Sequence, residues 1–394
     1  MSDYQSGSSP STSAPNSTIG LAQRLRPGSA DPAGGIVADR SSGQPMPLPR
    51  RLAVEAKVVR RIRDFLSQEG YMEVAVPFLT PATGSCEVVD SMFSLDYFGR
   101  LAFPRQTGQL YLEELVVQGL PAVYCEGQSL RRERKIDGRH LTEFKLIEIE
   151  RVDMDLNDLC LFQERLIKDV AGALSADDIG GANVTRLDRM LRSEHPRLTY
   201  REAVGILRRR GFAIEFGDDL GSTAEAALTH YAGQLPVHIT HYPESLKFFN
   251  MKLHRSDPLL VDCVDYILPY SGETFGGSVR EPDPKILRRR LYNGTMYHHL
   301  MHRAQEFAEL QWRNRTDSAA RSESLDALVR AYKASIQSSF EEYIALFEAA
   351  PVDRAGFGLG VARLLQYVMG LDSIKDAVLF PTDRTTFGRI SASA

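Results

Sequence analysis

The sequence predicts an α+β domain. A long helical period follows Arg51, a strand-like alternation runs from Glu143 to Glu150, and a glycine-rich strand passes into a helix after Gly356. The 394 residues are 43% hydrophobic and 25% charged, enough apolar material for one large core. A net charge of -4 excludes a global pull toward nucleic acid, so any such contact must come from local patches. The four cysteines, Cys86, Cys125, Cys160 and Cys263, are far apart and form no CxxC pair. That usage fits reduced thiols in a cytoplasmic protein and gives no reason to expect a structural zinc site. No apolar run approaches a membrane span, and the N-terminus lacks a basic start followed by an apolar core.

Residues 1–48 are rich in Ser, Pro, Gly and Ala and cannot bury enough apolar surface to offset ordering, so a disordered tail is expected there. Order is expected from near Arg51, in one domain over residues 49–394. Leu52–Glu69 has helical period, with Val54, Val58, Ile62, Phe65 and Leu66 on one side, and Gly70 ends it. Tyr71–Val76 reads as a strand stopped by Pro77. Leu110–Val117 reads as a helix, Val123–Glu126 as a short strand, and Leu156–Leu174 as a long amphipathic helix. Helices are expected over Tyr200–Arg210 and Ala224–Tyr231, and strands over Val237–Thr240 and Cys263–Leu268, the latter running into the glycine-rich SGETFGGSVRE. Trp312–Ser324 is polar and expected as a loop before a helix over Leu325–Ala349. A glycine-rich strand, Gly356–Gly360, and a helix, Val361–Met369, close the ordered chain.

The stretch SLRRERKIDGRHLTEFKLIEIE, Ser129 to Glu150, carries most of the chemistry. It sets Arg131, Arg132, Arg134, Arg139 and His140 ahead of Phe144 and an alternation with apolar residues on one face and charges on the other. Two strands joined by such a loop could hold a polyphosphate bidentately on arginine forks and offer a ring for a base to stack on. A solvated hairpin with charged edges fits the same residues, and they alone leave both readings open. His298 and His302 stand four apart, but no acidic residue completes a zinc signature. Arg208–Arg210 and Arg288–Arg290 read as solvated helix ends rather than RNA contacts.

Three separated segments together resemble the catalytic domain of class II aminoacyl-tRNA synthetases, in the aspartyl/asparaginyl branch. FLSQEGYMEVAVPFLTP (Phe65–Pro81) is similar to the family's first motif, SLRRERKIDGRHLTEF to the second and GFGLGVARLL (Gly356–Leu365) to the third. Three motifs in the right order are far more specific than any one. The resemblance covers roughly residues 50–385 and implies the class II synthetase fold, an antiparallel sheet of about six or more strands flanked by helices. Within the branch, QTGQLYLEELVV from Gln106, GQSLRRE and the step from Asp265 to Glu273 are similar to asparaginyl enzymes, and Leu112 stands where aspartyl enzymes carry a lysine.

By this resemblance, Arg131 clamps the α-phosphate of ATP and the activated carboxylate, while Arg139 and His140 face the β- and γ-phosphates. Phe144 stacks on adenine, Arg363 covers it from the other side, and Glu133 meets the adenine amino group. Asp265 and Glu273 match the magnesium-binding pair, hard oxygens that suit the ion. Glu87 and Gln109 would take the α-amino group of the amino acid, with Arg280 as the anion partner and Thr107, Glu113 and Ser278 as lesser candidates for the wall. A homodimer is expected because Pro77 and its strand are present.

The chain departs from the family in two places. A Ser/Pro-rich tail stands where an OB-fold anticodon barrel is expected. Ala362 replaces an acidic residue before Arg363, and Asp353-Arg354 replaces a proline-histidine. The first expectation is therefore adenylation of an aspartate- or asparagine-like amino acid, with transfer to ammonia or another small amine. Transfer to tRNA is the alternative acceptor reading. A non-catalytic binding paralogue comes third, because a dead pocket has no need to keep Arg131, Asp265, Glu273 and Arg363 together.

Overall fold

A computed structural model describes residues 46–81, 91–314 and 324–387. All of these fall in one compact unit, Ile36–Ala394. The tail expected over the first residues lies almost wholly outside the described residues. Helix α1 (Leu48–Gln68) starts a few residues before the expected onset of order near Arg51. Its buried stripe of Val54, Val58, Val59, Ile62, Phe65 and Leu66 follows the helical period, and Gly70 at φ 83° lets the chain leave in the left-handed conformation.

The chain then runs β1 (Met72–Glu73), β2 (Leu79–Thr80), β3 (Leu95–Tyr97), β4 (Arg100–Pro104), α2 (Gln109–Val117), β5 (Ala122–Leu130) and β6 (Glu143–Val152). Next come α3 (Leu156–Gly172), α4 (Ala176–Ile179), α5 (Gly181–Arg192), β7 (Arg197–Thr199), α6 (Tyr200–Arg209), α7 (Ser222–Tyr231) and β8 (Val237–Thr240). The remainder is β9 (Cys263–Leu268), β10 (Gly272–Val279), α8 (Pro284–Asn293), α9 (Thr295–Asn314), α10 (Leu325–Ala349), β11 (Arg354–Gly360) and α11 (Val361–Met369). Eight strands form one sheet in the order β1-β5-β6-β11-β10-β9-β8-β7. Its pairings are antiparallel except at the two edges, β1 with β5 and β7 with β8. This is the class II synthetase fold. Among the described residues no helix is long and apolar enough to cross a membrane.

Four local expectations change. The strand expected over Tyr71–Val76 forms at the sheet edge only as Met72–Glu73, with one further hydrogen bond from Val74 N–H to the Tyr124 carbonyl (2.8 Å). The glycine-rich segment after Leu268 is itself a full strand, held on both sides by β9 and β11. Trp312–Asn314 belong to α9, and the rest of the expected loop up to residue 323 lies outside the described residues. Two of the charges of β6 are not solvated: Glu148 and Glu150 are buried, whereas Glu143 is exposed.

Register explains that last difference. Ile147, Ile149, Phe275, Phe357, Leu359 and Tyr266 turn to one face and join a core with α1, α3 and α11. The alternate residues share the other face, where Glu148 pairs with Gly358 and Cys125, and Glu150 with Gly356. Gly358 in turn pairs with Gly276, and Gly276 with Asp265. A row of glycines thus lays a low floor under a line of carboxylates. Helices α8, α9 and α10 build a second cluster around Leu300, Phe340 and Phe347, while α6 and α7 cover β8 and β9.

Candidate active site

Strands β5 and β6 hold Phe144 opposite Ser129, and the intervening loop carries the arginines. The Arg131 guanidinium lies over the Phe144 ring, 5.0 Å from its centre. The loop is pinned from outside by Thr142 N–H on the Thr382 carbonyl (2.7 Å) and Ile374 N–H on the Gly138 carbonyl (2.8 Å). Glu133 is half-buried, its N–H on the Arg131 carbonyl at 2.8 Å. His140 Nδ1 sits 2.8 Å from Asp137 Oδ1, so a local carboxylate sets its orientation.

Glu273 is where separated segments meet. Its N–H donates to Glu225 Oε1 (3.3 Å) and its carbonyl accepts from Arg363 Nη1. Glu225 also pairs with Arg139. That pair rests on Gly272, where an added Cβ would strike the Arg139 guanidinium and the Glu225 carboxylate. A β-bulge between Glu273 and Phe275 turns Glu273 toward Asp265. A Cβ on Gly276 would stand 2.7 Å from Glu273 Oε1 and 3.9 Å from Asp265 Oδ1, so the two carboxylates converge over that glycine. Lys247 Nζ reaches Asp265 Oδ2 at 2.8 Å. Hard oxygens, close together and beside three cationic side chains, fit a magnesium ion shared with a polyphosphate.

A second group is fully buried. Arg280 donates to both oxygens of Glu150 (3.2 Å each) and to Ser278 Oγ (2.8 Å). Gln109 donates to Glu150 and to the Ile149 carbonyl. Glu113 accepts from Arg354, from Asn250 Nδ2 (2.6 Å) and from Tyr343 OH (2.8 Å). Arg354 also stacks on Phe347, 4.0 Å from the ring centre. Burial pushes the Glu150 carboxyl above its usual range, against the pull of Arg280. Burial likewise raises Glu148, which accepts from Thr107 Oγ1 and from Gly108 N–H (2.7 Å).

Of the residues expected from the sequence, the structure joins Arg131 with Phe144, brings Asp265 and Arg363 to Glu273 with Arg139 one step away on Glu225, and joins Gln109 with Arg280 through Glu150. Arg280, expected to face an anionic ligand, is held here by Glu150 of the chain itself. Arg139, expected on phosphates, is held by Glu225. Glu133 and His140 stay on the loop, and Glu87 lies outside the described residues. The sequence reading missed Glu148, Glu150, Glu225, Lys247 and the role of Arg354. Glu148 and Glu150 carried a signal: they fall in step with Phe144 and Leu146, not with Glu143 and Lys145. His298 and His302 lie on exposed turns of α9, and His302 is 3.5 Å from Glu306.

Residues 47–384 match the family described as class II tRNA synthetases (D, K and N). The chain is 32% identical over 341 residues to an asparagine–tRNA ligase of Pyrococcus abyssi, an alignment covering 84% of this chain and 67% of the relative. An asparagine–tRNA ligase of Pelotomaculum thermopropionicum is 29% identical over 335 residues, covering 84% of this chain and 68% of the relative. Among solved structures, asparaginyl-tRNA synthetase of Pyrococcus horikoshii complexed with asparaginyl-adenylate superposes with a TM-score of 0.66 at 29% identity, covering 87% of this chain and 70% of that one.

Proposed function

Because the chain belongs to the class II tRNA synthetases of the D, K and N group, ligases that form aminoacyl-adenylates, we propose that it activates asparagine or a close analogue with ATP. The observation that carries this reading is that Asp265 converges with Glu273 over Gly276, Arg363 bonds the Glu273 carbonyl, and Arg139 is linked to Glu273 through Glu225. In the reaction, an oxygen of the substrate carboxylate attacks the α-phosphorus of ATP. The bond from that phosphorus to the bridging oxygen breaks, and pyrophosphate leaves with the negative charge. The protein's task is to hold these groups in line and neutralise the charge.

Phe144 and the Arg131 guanidinium above it supply a stacking shelf and a phosphate clamp at one place. Arg363 enters from the first turn of α11, after Gly360, whose partner across the sheet is Leu146. Arg139 reaches phosphate by exchanging Glu225 for it. Asp265 and Glu273 would hold magnesium, which would supply positive charge to offset that of the phosphates. The buried Glu150, Arg280 and Gln109 set the end of the amino-acid pocket, where a neutral amide meets fixed donors and acceptors rather than an unpaired charge.

The asparagine–tRNA ligases among the relatives support tRNA as the acceptor. Transfer to ammonia or another amine, the first expectation from the sequence, is the second reading. It is favoured by Ala362, which packs in the core where the resemblance places an acidic residue. A homodimer in the cytoplasm completes the proposal. The edge strand β1 and the chain running on into β2 leave Met72 (55%), Phe78 (43%) and Leu79 (37%) exposed, a surface suited to a second copy. Pyrophosphate exchange with a panel of amino acids tests activation, and no exchange with any of them sinks it. Charging of total tRNA against amide formation with ammonia then separates the acceptors.

A further inference from the structure

The connection from β8 to β9, residues 241–262, brings together three side chains that the adenylation site does not use. His254 Nδ1 lies 2.6 Å from Asp262 Oδ1, and His241 Nε2 lies 3.6 Å from the same oxygen. All three donor atoms are within 4.8 Å of one another. We propose that His241, His254 and Asp262 bind a transition-metal ion of the zinc type, which clips the two ends of this connection and its middle together.

The tautomer of His241 is set for this task. The Thr240 hydroxyl donates to the Leu198 carbonyl (3.3 Å), so it accepts from His241 Nδ1–H at 3.0 Å. That leaves the lone pair on Nε2, the atom facing Asp262. A hydrogen bond from the far nitrogen is how proteins orient a ligating imidazole. The backbone of His241 is in the left-handed region, φ 57°, an uncommon conformation that directs its ring to the cluster. His241 and His254 approach edge to face with ring centres 4.8 Å apart, so the two rings sit side by side at the Asp262 carboxylate. Around a tetrahedral ion with bonds of about 2.1 Å, ligand atoms stand about 3.4 Å apart, so the triangle needs only small shifts. Two imidazoles and one carboxylate suit zinc, cobalt or nickel, whereas magnesium prefers oxygen alone. To ligate through Nδ1, His254 gives up its hydrogen bond to Asp262 and carries its one ring proton on Nε2, the exchange passing through water, and a fourth position stays open to water.

The ends being joined are Thr240-His241, leaving β8, and Asp262, entering β9; His241 N–H already bonds the Cys263 carbonyl at 3.1 Å. Between them lies Lys247, which reaches Asp265 of the adenylation site. The ion would therefore steady the strap that presents Lys247.

The test uses the full chain stripped of metal by chelation, titrated with Co2+ by visible absorption and with Zn2+ by calorimetry in excess Mg2+. One equivalent should bind, with the intense d–d bands of a four-coordinate site. His254→Ala and Asp262→Asn should weaken binding by more than about tenfold, while His298→Ala/His302→Ala should bind as the parent does. No saturable binding, or binding unchanged in both site variants, overturns the proposal. Should a variant lose its fold, the parent protein decides: Zn2+ must protect His241 and His254 from diethyl pyrocarbonate, mapped by mass spectrometry, and unprotected histidines overturn it.

Discussion

Arg354 and Glu113, 241 residues apart in sequence, form an ion pair with no side-chain exposure on either partner. Nε of Arg354 donates to Glu113 Oε2 at 3.0 Å, and Nη2 donates to the same oxygen. Glu113 has three kinds of donor around it, so its charge is matched and its lone pairs are filled. Removing the arginine leaves the buried carboxylate only the more distant cation of Arg280, whose Nε lies 3.9 Å from Glu113 Oε1. Arg354→Met should lower stability by about 3–5 kcal/mol, read by denaturant unfolding. The double variant Arg354→Met/Glu113→Gln should recover part of the loss. An Arg354→Met protein as stable as the parent would refute the structural weight given to the pair.

Arg363 is half-buried on the first turn of α11 and makes its hydrogen bond to a backbone carbonyl. Truncating it leaves no buried charge unpaired. Arg363→Ala should therefore fold normally by circular dichroism, yet slow pyrophosphate exchange by about 10²–10³-fold, the usual effect of deleting one transition-state donor. Exchange at the parent rate would remove Arg363 from the ATP site.

Two glycines of the same floor should respond differently. At Gly276 an added Cβ meets the end of the Glu273 side chain, which can swing away. At Gly356 it meets the backbone carbonyl of Ile149 at 2.2 Å, which cannot. Gly356→Ala should cost about 1–3 kcal/mol or more. Gly276→Ala should keep its melting temperature but demand more magnesium for exchange, because Glu273 is displaced. Equal melting temperatures for the two variants would contradict this contrast.

His238 lies fully buried on β8, stacked on Tyr266 with ring centres 3.8 Å apart. Burial holds its pKa well below the ordinary value of 6.5, aided by the nearby charges of Arg197 and His195. Below that ordinary value the unfolded chain takes up a proton that the folded chain refuses. The stability owed to neutral His238 is thus complete above about pH 6.5 and falls as the pH drops below it. His238→Phe keeps the stack and removes the proton, so its thermal midpoint should fall less steeply between pH 6.5 and acid than the parent's. Parallel pH profiles would show that His238 does not govern this window.

Much of the fold was legible because it is local. Val361–Met369 and Leu325–Ala349 are helices whose buried positions follow a short period that needs no knowledge of neighbours. Leu268 to Val279 was not legible in this way. Five residues of β10 pair with β11, and its glycines carry no strand propensity of their own. Its strand exists because β9 and β11 hydrogen-bond it from both sides. For the proposed site, the family resemblance pointed to Arg131, Arg139, Phe144, Asp265, Glu273 and Arg363, but not to the groups that contact them, since Glu225 and Lys247 stand in segments with no motif.

The sequence by itself determined the amphipathic helices, the three motifs and hence the family, because periodicity and residue type are written along the chain. Only the tertiary structure decided that Glu148 and Glu150 are buried acids, that Arg280 already has a carboxylate, and that the donor atoms of His241, His254 and Asp262 lie within 4.8 Å of one another. Those facts depend on sheet register, where a shift of one residue sends every side chain to the opposite face.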